Sequence, residues 1–167
     1  MSRTQLNPLD QATSIVSTVA SSVTASNTTS DLTFTALVVP ANEMAGRCYE
    51  LKAYGQSAGV LGAGITFWVT INGTKVISIP ITLASDFTAS PLLWTLEALV
   101  TLNGSGASVG VMVDGELLWN ANINSTHVNA QATVSSLAQW TISCGAKMGA
   151  ASSSNSVTCR QGFIRRT

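Results

Sequence analysis

Two runs of strand-like residues meet at Asn72-Gly73, and no other local feature constrains the fold as strongly. Ile65-Thr-Phe-Trp-Val-Thr-Ile71 precedes the dipeptide and Lys75-Val-Ile-Ser78 follows it. Asn and Gly both accept the positive φ of a type I′ turn, whose twist matches that of paired antiparallel strands. The segment therefore predicts a β-hairpin. Its first strand turns Ile65, Phe67, Val69 and Ile71 inward, opposite Thr66, Trp68 and Thr70. The return strand carries Ile77, Ile79 and Ile81 on one face. Pro80, which has no N–H for a ladder, marks that strand as an edge or as its end.

The same period of two recurs along the chain. Leu32 to Val39 reads as a strand ending at a Pro40-Ala41-Asn42 turn. Arg47 to Tyr54 places Tyr49, Leu51 and Ala53 opposite Cys48, Glu50 and Lys52, and Gly55 to Gly64 reads as a loop. Leu92 to Leu102 is a long strand with Leu92, Trp94, Leu96, Ala98 and Val100 on one side. Asn103-Gly-Ser-Gly106 turns it into a return strand, Ala107 to Val113. Asp114-Gly115 predicts a second tight hairpin, followed by a strand from Glu116 to Ile123. Residues 132–144 and 156–164 supply two more strands, with Gly145 to Asn155 as a loop. Residues 13–25 fit an edge strand, although Ile15, Val16, Val19 and Val23 also fit a helical stripe. Eight to ten strands with turn signals between them predict an all-β protein, an antiparallel β-sandwich that is jelly-roll-like. It forms a single domain over residues 13–167, preceded by an extended N-terminal arm over residues 1–12.

Little in the chain suits catalysis. Charged residues make up 10% of its 167 positions, and His127 is the single histidine. No catalytic residue is assigned, because general acid–base chemistry needs positioned titratable groups. Glu50 and Glu97 are the one carboxylate pair worth testing against a glycan-hydrolase geometry. Asp114 and Glu116 could share a strand face, but Asp114 is accounted for by its turn with Gly115. His127, within Asn124-Ser-Thr-His127, reads as part of a polar loop. Gly104-Ser-Gly106-Ala-Ser-Val-Gly110 superficially resembles a phosphate loop, yet a strand rather than a helix follows it. No cofactor is expected.

Cys48, Cys144 and Cys159 lack the short ligand spacings of a metal site, so no metal is expected. They read as buried thiols, with a Cys144–Cys159 disulfide as the alternative. The net charge is zero and the basic residues Arg160, Arg165 and Arg166 cluster only at the C-terminus, which argues against nucleic acid as a partner. The apolar stretch from Ala58 to Ile71 is too short to span a bilayer, the N-terminus lacks a secretory h-region, and no membrane role is expected. The sequons at Asn27, Asn72, Asn103 and Asn124 are then turn chemistry.

The apolar residues that break the alternation carry more information. Trp94 and Trp119 fall on the inward phase and are expected in the core. Trp68, Leu93 and Leu99 fall on the outward phase, which suggests a subunit interface or a locally covered sheet. A near-neutral surface rich in Ser and Thr suits a subunit of a permanent assembly.

Two segments resemble small virion proteins of tailed bacteriophages. The first is Val39-Pro-Ala-Asn-Glu-Met-Ala-Gly-Arg-Cys-Tyr-Glu-Leu-Lys-Ala-Tyr-Gly55, where a Pro-Ala-Asn turn and a Gly-Arg step lead into a strand. The second is Trp94-Thr-Leu-Glu-Ala98 with Gly104-Ser-Gly-Ala-Ser108. The resemblance covers roughly residues 30–165 in order of elements. It implies a β protein of the virion and carries no catalytic residue. The expectation that follows is a capsid decoration, or cement, protein on the outer surface of the capsid, with the major capsid protein and itself, as a homotrimer, for partners. The alternative is a tail-fibre or tail-tip receptor-binding module whose exposed aromatics stack on host glycan. In either setting Leu6, Pro8 and Leu9 of the arm are expected to pack on a neighbouring chain, and Trp68, Leu93 and Leu99 to lie at contacts or beneath a covering segment.

Overall fold

A computed structural model describes residues 16–18, 22–119 and 124–167. The arm residues Leu6, Pro8 and Leu9 lie outside these, as does the whole of residues 1–12. Eleven strands run through the described residues in chain order: β1 (Val16–Thr18), β2 (Val23–Ser26), β3 (Leu32–Val39), β4 (Cys48–Ala58), β5 (Gly64–Ile71), β6 (Thr74–Thr82), β7 (Leu92–Leu102), β8 (Val109–Trp119), β9 (Asn124–Val134), β10 (Trp140–Met148) and β11 (Ser156–Arg166).

They form an all-β antiparallel sandwich. The larger sheet runs β1-β11-β4-β7-β8-β9, with β2 beside another stretch of β11, and the smaller runs β3-β10-β5-β6. Early and late parts of the chain pair: β3 with β10, and β4 with β11. Of the segment 13–25, the described residues 16–18 and 23–25 lie in the short strands β1 and β2.

The core lies between the sheets, where the inward phase of each strand meets. Leu51 of β4, Leu96 of β7, Val113 of β8, Phe67 of β5, Ile79 of β6 and Ile142 of β10 are each at most 1% exposed. Trp94 joins them, stacked on Phe34 with centroids 5.1 Å apart and tilted against Phe67 at 4.9 Å. Trp119 packs only partly buried at the rim of this core. Cys144 and Cys159 are buried free thiols within it and Cys48 is half-buried. Burial pushes the Cys144 thiol far up and the Cys159 thiol to about 11.

The Asn72-Gly73 hairpin forms as expected, with φ of 51° and 77°. Asn72 Oδ1 also accepts from the Thr141 N–H at 2.9 Å, tying the turn to β10. Pro80 lies on the edge strand β6.

Asp114-Gly115 is not a hairpin. It sits in the middle of β8, which pairs without interruption with β7 on one side and β9 on the other. Gly115 is there for packing: an added Cβ would lie 2.7 Å from Ile77 Cδ1 in the opposite sheet. A dipeptide suited to a turn was thus retained as a close approach between layers, which local turn chemistry cannot distinguish. His127 consequently lies in strand β9 and not in a polar loop. Gly55 to Ala58 also continues β4 instead of opening a loop, because Trp94 packs over Gly55 from the neighbouring strand. Likewise β10 runs on to Met148, while residues 135–139, read as strand, form a connection.

Candidate functional site

Every second residue of the larger sheet points away from the core. Backbone register aligns these outward residues in rows. One row crosses Arg165 of β11, Glu50 of β4, Leu99 of β7, Asp114 of β8 and Asn129 of β9. The next crosses Phe163, Lys52, Glu97, Glu116 and His127 on the same five strands. Four of the chain's eight carboxylates therefore meet on one face, although they lie up to 66 residues apart in sequence. Their gathering depends on cross-strand register, for which short-range spacing carries no signal.

These rows border an open cleft of about 220 Å³, lined by Glu50, Glu97, Leu99, Asp114, Glu116 and His127 among others. Most of its charges are paired. Lys52 Nζ lies 2.5 Å from Glu97, Arg165 holds Glu50 through Nε at 2.7 Å, and His127 Nε2 lies 2.6 Å from Asp114. The Glu97 bond raises Lys52 above the usual lysine range. Glu116 is the carboxylate of the cleft without an ion-pair partner among the described residues. The structure thus supplies His127 with the carboxylate that its sequence neighbours lack. Glu50 and Glu97 share the face as diagonal neighbours on β4 and β7, each engaged by its own cation. Among the described residues no three His, Cys, Asp or Glu side chains are grouped to hold a metal ion.

Aliphatic side chains interrupt this charged face. Leu93 is 59% exposed, Leu99 44% and Met112 45%. Met112 pairs in register with Thr101, so it sits diagonally beside Leu99 on the same face. Trp68 has a different fate. It is 3% exposed, lies across Gly145 on the outer side of the smaller sheet, and carries the Lys75 ammonium 5.5 Å from its ring centroid. Its out-of-phase position is thus accounted for within the protomer, whereas those of Leu93 and Leu99 are not.

A second polar cluster ties the C-terminus down. Glu43, in the β3–β4 connection, is 6% exposed. It accepts the Tyr49 hydroxyl at 2.6 Å and lies 3.5 Å from both Arg47 and Arg166. Burial, followed by the Glu43 hydrogen bond, pushes the Tyr49 phenol well above its ordinary range. No local signal in the sequence marks Glu43. Its position in a Pro-Ala-Asn-Glu turn looks like solvent-facing loop.

No protein-family model and no curated protein matches the chain. Among solved structures it is similar to the CBM2 module of the evolved Dit of Lactobacillus casei BL23 phage J-1, at 12% identity and a TM-score of 0.34, over 84% of this chain and 73% of that one. A likeness of that size does not carry a role from one protein to the other.

Proposed function

We propose that this chain is a virion protein that decorates the outside of a bacteriophage capsid and reinforces it by non-covalent bridging of major capsid subunits. The observation that carries the proposal is the outer face of the larger sheet. Leu93, Leu99 and Met112 stand exposed there on regularly paired strands, set among mostly ion-paired charges. Aliphatic anchors within a polar surround are the anatomy of a protein–protein contact. The resemblance of Val39–Gly55 and of Trp94–Ala98 to phage virion proteins points to the particle as the setting. A contact built on paired strands suits a permanent assembly, since little loop ordering is then needed on binding.

The tail receptor-binding reading fits this face less well. Glycan stacking uses exposed aromatic rings, yet Trp68, Trp94 and Trp140 are each at most 3% exposed, Trp119 is partly buried, and the two rings on this face, Tyr54 and Phe163, are half-buried with Lys52 and Arg165 over them. An enzymatic reading would use Glu50 and Glu97, both of which are tied to cations on an open face.

The test is add-back. Particles lacking the protein are expected to assemble but to release their genome at a lower temperature. Purified full chain should restore heat resistance, while Leu93→Asp/Leu99→Asp should bind at least about 30-fold more weakly, the loss of a hot-spot contact worth about 2 kcal/mol. Depleted particles with unchanged heat resistance would count against decoration. Equal binding by the variant would remove this face from the account.

A further inference from the structure

The edges of the two sheets are not protected alike. β6 carries Lys75 and Pro80, and its register with β5 shifts between Val69 and Thr70. β1 and β2 are only 3 and 4 residues long. β3 has a register shift against β10 and packs beside β11. Each is a recognised way of blunting an edge, by charge, proline, bulge, shortness or cover.

β9 has no charge, proline or bulge and is not short, and of these devices it shares only cover, packing beside β6 of the other sheet. It is 11 residues long and pairs with β8 at every position from Asn124 to Val134 with no shift. Its sequence, Asn-Ser-Thr-His-Val-Asn-Ala-Gln-Ala-Thr-Val, contains no Pro, Gly, Lys, Arg, Asp or Glu. Among the described residues no strand pairs with its other side. Its inward residues Val128, Ala130 and Ala132 stay only partly buried at the rim of the core. Its outward residues Ser125, His127, Asn129, Gln131 and Thr133 are all exposed.

We infer that β9 pairs with β9 of a second copy of this chain, antiparallel about a two-fold axis, so that the larger sheet runs on across the dimer. The occupant follows from the composition of the edge. A two-fold contact sets a strand against itself, so any charge near the axis would face its like. β9 has no fixed charge to repel its copy, and its one ionisable group, His127, is already engaged by Asp114 at 2.6 Å. Ser, Thr, Asn and Gln both donate and accept hydrogen bonds, so like can pair with like across the axis. The small inward Ala130 and Ala132 leave the rim open for the second copy to complete, with Val128 beside them. Pro80 stops the smaller sheet from extending on the same side, so the continuation runs through the larger sheet alone. This pairing is independent of what the outer face binds.

Sedimentation velocity of the full chain at micromolar concentrations tests it. The wild type should sediment as a dimer or another even-numbered assembly. Asn129→Lys/Gln131→Lys, which sets lysines near their symmetry mates, should halve the mass while the circular dichroism spectrum stays unchanged. Gln56→Lys/Thr95→Lys, on the same outer surface but away from the edge, should keep the wild-type mass. A monomeric wild type, an odd-numbered assembly such as the homotrimer expected from the sequence, a mass unaffected by the β9 lysines, or equal dissociation by the control pair would each overturn the inference.

Discussion

At Gly145 on β10, an added Cβ would overlap both the Leu32 carbonyl oxygen of β3 and the ring of Trp68. The site falls where the β3–β10 register shifts, and Trp68 is 3% exposed, so neither obstacle can swing into solvent. Gly115 on β8 presents the opposite case. There the nearest atom is Ile77 Cδ1 at 2.7 Å, the mobile end of a flexible side chain. Overpacking costs about 1–3 kcal/mol and more where backbone must shift. Gly145→Ala should therefore cost about 3 kcal/mol or more, and Gly115→Ala about 1 kcal/mol. At about 2–4 °C per kcal/mol for a chain of this size, Tm should fall by about 6–12 °C for the first and about 2–4 °C for the second. Urea unfolding followed by tryptophan fluorescence gives the free energies directly. Ile77→Val should relieve Gly115→Ala, so that the double variant loses less than the two singles together. A Gly145→Ala variant within about 0.5 kcal/mol of wild type, the range of an inert surface change, or equal destabilisation of the two alanine variants, would refute close approach as the reason for these glycines.

Three further outcomes follow from the same structure. Glu43→Ala should destabilise the protein by about 1.5–3 kcal/mol, the worth of a charged buried hydrogen bond, and an unchanged urea midpoint would show that the Tyr49–Arg166 cluster does not hold the C-terminus. Stability should decline in alkali: Cys159 rises in the fold from its ordinary 9.0 to about 11, and Cys144 and Tyr49 shift the same way. A folded pKa raised above the unfolded one gives stability that is complete below the unfolded value and is lost as pH climbs toward the folded one, so Tm should drop between pH 9 and 11, and a flat Tm across that window would contradict it. His127→Gln should change stability by less than about 0.5 kcal/mol, since its pair with Asp114 is half exposed on both sides, and a larger loss measured by urea unfolding would mark the pair as structural.

The fold was largely legible because its signals are local. Alternation placed Ile65, Phe67, Val69 and Ile71 inside, Asn72-Gly73 at a turn, Pro80 on an edge and Leu92–Leu102 on one strand. Where the reading failed, a contact across the sandwich had overridden a local preference. Gly115 sits beneath Ile77 and Gly55 beneath Trp94, and neither neighbour is visible in a short window of sequence. The charged cleft was illegible for a related reason. Glu50, Glu97, Asp114, Glu116 and His127 come together only through the pairing of β4, β7, β8 and β9. Leu93 and Leu99 could be flagged in advance because a single strand suffices to show them out of phase. Trp68 carried the same flag, yet its partner Gly145 lies on another strand, and that contact decides that the ring is covered within the protomer.

The proposed role has this protein covering the capsid through the outer face of its larger sheet. Electron cryomicroscopy of native particles tests it most directly. The expected result is two-layered β density in many symmetry-related copies on the outside of the shell, with the β4–β7–β8 surface and Leu93 and Leu99 against the major capsid protein. A few copies at the tail with a bare shell, or a shell bound through some other surface of the sandwich, would contradict it.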